Sequence, residues 1–321
     1  MKSVRIRPFT AADYSGITDV ANAVYREYPG TVEELRFGDD HRDPKCKFQR
    51  WVAEQDGGIV GVGEYSQSPS MYHPRKFWIE LTVHPAWQGK GIGAALYDQV
   101  MAALQPFDPL SLRAGTREDM ARGVRFLERR GFREDMRAWE SRLDVAAFDP
   151  TPYNGLEEQV RAQGIEIQTL KELVADPERD RKLYELHREL QKDVPHPEPQ
   201  TPVSYAYFVE HTLKSPNLLP DAYFVAVHDG AYVGMSALWA SQAGSELYTG
   251  LTGVTRAYRR KGIALALKLR GIAYAKGHGH PLIKTWNESN NRAILSINER
   301  LGYVKQPAWI VYVNVLKEEG P

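Results

Sequence analysis

Two glycine-bearing loops in this chain have residue types and spacing suited to chemistry. One reads Gln88-Gly89-Lys90-Gly91-Ile92-Gly93 and the other Arg259-Arg260-Lys261-Gly262-Ile263-Ala264, each after an apolar run that includes Val83 or Val254. A strand, then a turn of residues with little side chain, then a helix makes an anion site, because backbone N–H groups converge there and the helix N-terminus adds roughly half a positive charge. A diphosphate suits such a cradle, with Lys90, Arg260 and Lys261 as local cations. Neither common nucleotide loop is spelled out: a Walker loop needs GxxxxGK with Ser or Thr, and a Rossmann turn needs GxGxxG with an acid about twenty residues on.

The two loops are one motif written twice. Val83 and Val254, Gln88 and Arg259, Gly91 and Gly262, Gly93 and Ala264, and Gly131-Phe132 and Gly302-Tyr303 all stand 171 positions apart without an insertion. A constant offset of this kind marks a tandem duplication. Its expected division is residues 1–145, a linker over 146–164, and residues 165–321.

On these residues the chain resembles the GNAT superfamily of acyl-CoA-dependent N-acetyltransferases, in the tandem form that includes mycothiol-synthase-like enzymes. The resemblance implies an α/β (α+β) fold of two GNAT-type domains. Each would be a mixed, largely antiparallel sheet flanked by helices and splayed near Val83 and Val254. It implies acetyl-CoA as cosubstrate, its pyrophosphate on the amides of Gln88, Gly89, Lys90, Gly91, Ile92 and Gly93, or of Arg259, Arg260, Lys261, Gly262, Ile263 and Ala264. Its pantetheine arm would lie along Leu81 and Val83, or along Val254 with Asn287 and Asn291. The implied reaction moves an acetyl group to the amine of a small molecule by direct attack in a ternary complex. The alternatives are a non-catalytic acyl-CoA-binding or regulatory protein, and acetylation of a protein amine.

The departures from the family pattern bear on mechanism. Many members place an Asn early in the later helix and a Tyr five residues before its terminal aromatic, the Tyr protonating the departing thiolate. Here those places hold Met120 and Leu127 in the first copy and Asn291 and Asn298 in the second. A CoA thiolate leaves readily and positioning supplies much of the rate, so catalysis survives the loss. An alkyl amine, only about one part in a thousand neutral at pH 7, still calls for a base. The candidates are Glu80 in the first copy and Glu246 or Tyr248 in the second. Alternation puts Glu80 on the face opposite Val83 unless a bulge intervenes. Arg259, the cationic cluster and Asn291 make the second copy the expected working one.

The elements that must position these groups are legible in outline. Val4 and Ile6 alternate with Arg5 and Arg7 as a strand, and Thr10 offers an N-cap before a helix reaching about Tyr25. Hairpins are expected at Asp56-Gly57-Gly58 and Asp229-Gly230. Strands Phe77 to Val83 and Leu247 to Val254 lead into the loops, with helices after them. A later helix in each copy stops at Gly131 or Gly302 before final strands near Trp139 and from Ile310 to Val315. The segment Val194 to Val203, with four prolines, is an extended loop that either connects or walls a substrate cleft.

Bulk composition narrows the classes. Lys plus Arg and Asp plus Glu both number 41, so no net charge draws the chain to nucleic acid or anionic lipid. The lone cysteine, Cys46, excludes an intrachain disulfide. No apolar run is long enough to span a bilayer, and no His, Cys or acidic spacing suggests a metal. The expectation is a cytoplasmic monomer or homodimer acting on a small-molecule amine.

Overall fold

The computed structural model describes residues 4–319; Met1 to Ser3 and the last two residues lie outside the description. The chain divides into two compact units, and these are not simply the two halves of the repeat. The first holds residues up to Arg137 together with Pro197–Pro202 and Trp309 onward; the second holds Ala138–His196 and Val203–Ala308. The last strand of each sequence copy therefore completes the unit built by the other copy.

In the first unit, β1 (Arg5–Pro8), β2 (Gln49–Gln55), β3 (Gly58–Ser66) and β4 (Lys76–Val83) pair antiparallel in order. β5 (Ser111–Arg117) pairs parallel with β4 only from Lys76↔Ser111 to Trp78↔Arg113, and beyond Ile79 the two strands part. The other edge of β5 takes β13 (Trp309–Val315), antiparallel from Trp309↔Arg117 to Val315↔Ser111. α1 (Tyr14–Val24) and α2 (Val32–Asp40) cover one face; α3 (Ile92–Leu104) and α4 (Ala121–Glu128) serve the other.

Local sequence sets these elements. Asp13 accepts from the Thr10 amide at 2.7 Å in the turn that leads into α1, and Thr31 with Glu34 closes a capping box that satisfies the first donors of α2. Asp56 (φ 51°) and Gly57 (φ 82°) form the left-handed pair that a two-residue hairpin needs. Leu96, Val100 and Leu104, one stripe of α3, pack on Phe77, Ile79 and Leu112 with almost no exposure.

The second unit repeats the plan. It takes in β6 (Arg133–Asp144) from Ala138 onward, α5 (Leu156–Arg161), β7 (Ile165–Thr169), α6 (Arg179–Gln191), α7 (Tyr205–Phe208), β8 (Leu218–His228), β9 (Ala231–Ala240), β10 (Leu247–Val254), α8 (Ile263–Gly277), β11 (Leu282–Glu288), α9 (Arg292–Arg300) and β12 (Val304–Lys305). β7 to β10 are antiparallel neighbours, β10 pairs parallel with β11 only at Leu247↔Ile283 and Tyr248↔Lys284, and β11 takes β6 on its other edge. Both sheets are thus splayed on the approach to Val83 and Val254, as the family resemblance implied.

The stretch 146–164 is more than a tether, since it carries α5, whose Val160 is buried in the second unit's core. The Pro-rich segment is extended, and its Pro197–Pro202 part docks in the first unit. There Glu198 meets Arg113 and accepts from Lys76 at 3.2 Å, and the Thr201 amide donates to Ser70 at 2.7 Å. No helix among the described residues is long and apolar enough to cross a membrane.

Candidate active site

In the first unit the parting of β4 from β5 opens a cavity of ≈ 690 Å³. Ile79 to Val83 form one wall, Ala114 to Thr116 the other, and Gln88, Gly89, Gly91 and Gly93 close one end. Gly89 (φ 77°) and Gly91 (φ 86°) take left-handed backbone, and Gly91 is the N-cap of α3. No atom stands within 4 Å of where a Gly91 side chain would begin, so the loop faces open space. The Gln88 amide nitrogen donates to the Val83 carbonyl at 3.0 Å, which fixes the loop on the strand end. Lys90 lies 4.3 Å from the centre of the Trp87 ring.

Two cations that sequence reasoning missed, Arg122 and Arg130, line this cavity. Arg122 Nη1 comes within 3.8 Å of the Cβ position of Gly89, and Arg130 stacks on Phe126 at 3.6 Å. The available signal was the 171-residue offset, which sets Arg122 against Ala293 and Arg130 against Leu301.

Glu80 stands at the far end of the cavity. The β3–β4 register runs unbroken from Ser66↔Trp78 to Gly61↔Val83, so no bulge turns Glu80 and it stays on the face opposite Val83. The gap between strands gives both faces access to one cleft, and Glu80, Leu81 and Val83 all line it. Solvent reaches the Glu80 carboxyl through the cleft while protein crowds its other sides. That crowding first, and the charge of Glu64 directly across the ladder second, push it up to about 7, against the pull of Arg50. Arg50 is held away by Glu64 and Asp39, each at 2.6 Å.

Glu80 also borders a second cavity, of ≈ 490 Å³. Tyr25, Tyr28, Trp78 and Trp309 wall it. Tyr25 lines both spaces, and burial, with the Glu80 charge behind it, pushes its phenol up to about 12, so it stays protonated.

The second unit treats the same positions differently. Gly262 (φ 82°) caps α8 as Gly91 caps α3, but a side chain there would start 3.1 Å from Leu156 of α5. Gln163 donates to the Lys261 carbonyl at 3.2 Å. Ala266 is 2% exposed, whereas its counterpart Ala95 is open. α5 therefore lies over the first turn of α8. Arg260 takes positive φ (63°) where the first copy has Gly89, a strained choice for a residue with a side chain. Arg259 donates to the Val254 carbonyl at 3.1 Å and pairs with Asp193, which also holds Arg256 at 2.6 Å. Lys261 lies 5.0 Å from the Tyr258 ring centre, and Ile263 and Ala264 pack in the core beside it.

The second-copy candidates are tied up with neighbours. Glu246 accepts from Lys284 at 3.1 Å and from Tyr248 at 3.0 Å. Burial opposes its charge, but a hydrogen bond from its own backbone amide, with those from Lys284 and Tyr248, outweighs it and holds the carboxyl below its ordinary range. The position matching Glu80 is Leu251. Asn287 accepts from Asn298 at 2.7 Å, and Asn291 is the N-cap of α9 without a side-chain capping bond.

Lys268 replaces Tyr97 and lies buried on α8, 5.0 Å from the Tyr303 ring centre. Burial pushes it down to about 8. Its unfolded form holds more protons between pH 8 and about 10.4, so wild-type stability rises with pH through that window. Lys268→Met is expected to raise stability at pH 7 by on the order of 1–2 kcal/mol and to remove that rise. Denaturant midpoints at pH 7 and 10 check it; a destabilised variant would contradict it.

Among the described residues no group of three or more His, Cys, Asp or Glu side chains is placed to hold a metal ion. The profile of the acetyltransferase (GNAT) family matches residues 16–132 and again 182–303. A mycothiol acetyltransferase of Nocardioides sp. (strain ATCC BAA-499 / JS614) is 24% identical, with 78% of this chain and 90% of that protein aligned. Among solved structures, a tandem GNAT protein from the clavulanic acid biosynthesis pathway superposes with a TM-score of 0.77 at 19% identity, over 99% of this chain and 100% of that one. A GCN5-related N-acetyltransferase from Sphaerobacter thermophilus superposes with a TM-score of 0.72 at 18% identity, over 100% and 98%.

Proposed function

The chain belongs to the acetyltransferase (GNAT) family, and on that premise we propose that its first unit transfers an acetyl group from acetyl-CoA to a small-molecule amine. The carrying observation is the continuous cleft that starts at an open amide cradle and ends at Glu80. Bound acetyl-CoA supplies an activated acetyl thioester. The amides of the Gly89–Gly93 turn and the N-terminus of α3 hold its pyrophosphate, with Arg122 as counter-charge. Leu81 and Val83, on the strand edge left free by the splay, accompany the pantetheine arm. Glu80 takes the proton of the acceptor ammonium, and a carboxyl near 7 is poised for that at neutral pH. The neutral amine attacks the thioester carbonyl, the C–S bond breaks, and the nitrogen's second proton goes to the leaving thiolate. The Tyr25 hydroxyl, protonated and lining both cavities, is the relay that gives one proton to sulfur and regains one from nitrogen.

This reading moves the chemistry from the second copy, where the sequence motifs directed it, to the first. It rests on α5 over the Gly262 turn, on Leu251 where the base would stand, and on the Glu246–Lys284 pair. The proposed role of the second unit is structural.

Calorimetric titration with acetyl-CoA is expected to give one site per chain. Arg122→Ala should weaken it about tenfold, the usual size of a lost charge-assisted contact. Two equal sites, or one site indifferent to Arg122, would contradict the assignment.

A further inference from the structure

Resting on the first unit as the seat of acetyl transfer, we propose that its acceptor is an amine without an anionic group, carried on an aromatic or other flat apolar body. The wall opposite the acetyl-CoA cleft makes this choice. Tyr25, Tyr28, Trp78 and Trp309 surround the ≈ 490 Å³ cavity, and the Glu80 carboxylate opens into it. Among the described residues, no lysine, arginine or histidine lines it. An ammonium entering there meets one carboxylate among four electron-rich rings, while a carboxylate or phosphate on the same acceptor meets no cation in the lining.

The rings are placed by the fold. Trp309 begins β13 and pairs with Arg117 of β5, which brings its indole to 5.8 Å from Tyr25 and 5.6 Å from Tyr28, centre to centre. The Tyr28 hydroxyl accepts from Arg117 at 3.3 Å, and that guanidinium is already engaged by Asp119 at 2.7 Å and Glu27 at 2.7 Å. Two acids neutralise this guanidinium, and Glu64 and Asp39 likewise engage Arg50 across the ladder from Glu80, so neither arginine offers the cavity a free counter-charge. Across the cleft, Trp78 sits opposite Ser66 in the β3–β4 ladder, and Ser66 is the small polar residue at the cavity edge. The cavity holds a bicyclic ring with a short side arm, and its one acid lies where the arm's nitrogen must reach the acetyl-CoA cleft.

The test is kcat/KM for matched acceptors differing by a carboxylate: tryptamine against tryptophan, phenethylamine against phenylalanine, and cadaverine against lysine. Each amine is expected to exceed its amino acid by about 100-fold, because the acid would enter a site with no partner for it. The two aromatic amines should exceed cadaverine. Trp309→Ala should raise KM for tryptamine about tenfold with the KM for acetyl-CoA unmoved, and Trp309→Phe should restore most of it. Ser66→Arg should narrow the gap within each pair by offering the missing cation. Amino acids used as well as their amines would overturn the inference, as would a Ser66→Arg enzyme with unchanged preference. Acetyl-CoA binding without transfer to any probe would overturn it too but leave the cofactor site standing. Absence of acetyl-CoA binding would fell the reading underneath.

Discussion

Glu80→Gln is expected to lower kcat by 10²–10⁴-fold while acetyl-CoA binds with unchanged affinity. Glutamine keeps the shape and loses the proton-accepting group, so the deficit belongs to proton removal. The pH profile makes the prediction sharper. Glu80 works ionised, and its carboxyl is pushed up to about 7, so wild-type kcat/KM should climb as pH rises through about 7 and then level. In Glu80→Gln that limb should vanish. Stability separates chemistry from unfolding. A carboxyl raised in the folded state opposes folding once ionised, so at pH 8 the glutamine variant should be as stable as wild type or more so. A variant with near-normal kcat, or a profile that keeps its limb near 7, would remove Glu80 from the mechanism.

Why Glu80 holds that place, and why the sequence pointed instead to the second copy, comes in part from the ladder. Arg50, Glu64 and Glu80 fall in one row across β2, β3 and β4. Alternation correctly set Glu80 opposite Val83, which on a closed sheet would separate base from cofactor. The splay undoes that separation, because where β4 and β5 part, a side chain on either face reaches the same gap. Period-2 patterning reports faces, not gaps. The repeat offset was more informative than the motifs alone: it aligns Glu80 with Leu251 and Arg122 with Ala293, two places where an ionisable side chain lines the first unit's cleft and the second copy has an apolar residue. The splays were implied by the family resemblance, and the duplicated loop with its glycines and the hairpins at Asp56 and Asp229 were legible in local sequence.

Strand ownership was not. Trp309–Val315 and Ala138–Asp144 are equivalent by offset, and both are able to pair antiparallel beside a neighbouring strand. A repeat says which residues correspond, and it is silent on which copy they pair with. The structure gives β13 to β5 and sets β6 beside β11. Without that exchange Trp309 would not stand in the aromatic wall. α5 was hidden for a similar reason. Its six residues show as a short helical pattern between copies, but only packing reveals that Leu156 and Val160 lie against Gly262.

That contact gives the second large effect, read from a reciprocal pair of valines. Gly91→Val puts a β-branched side chain at φ 86°, where no L-residue sits without strain, and turns the amides that hold the pyrophosphate. Acetyl-CoA affinity should fall at least about 100-fold and turnover with it, because the cradle loses several charge-assisted bonds together. Gly262→Val carries the same backbone strain at φ 82° and adds a collision with Leu156, 3.1 Å from the new Cβ. It should cost about 1–3 kcal/mol of stability. Yet acetyl-CoA stoichiometry and kcat should stay near wild type at temperatures where the variant is folded. Equal losses of binding from both valines would mean that α5 moves aside and both cradles take the cofactor; loss from Gly262→Val alone would return the chemistry to the second copy. The predicted asymmetry follows from one physical difference, an amide turn that opens on a cavity in one unit and on a leucine in the other.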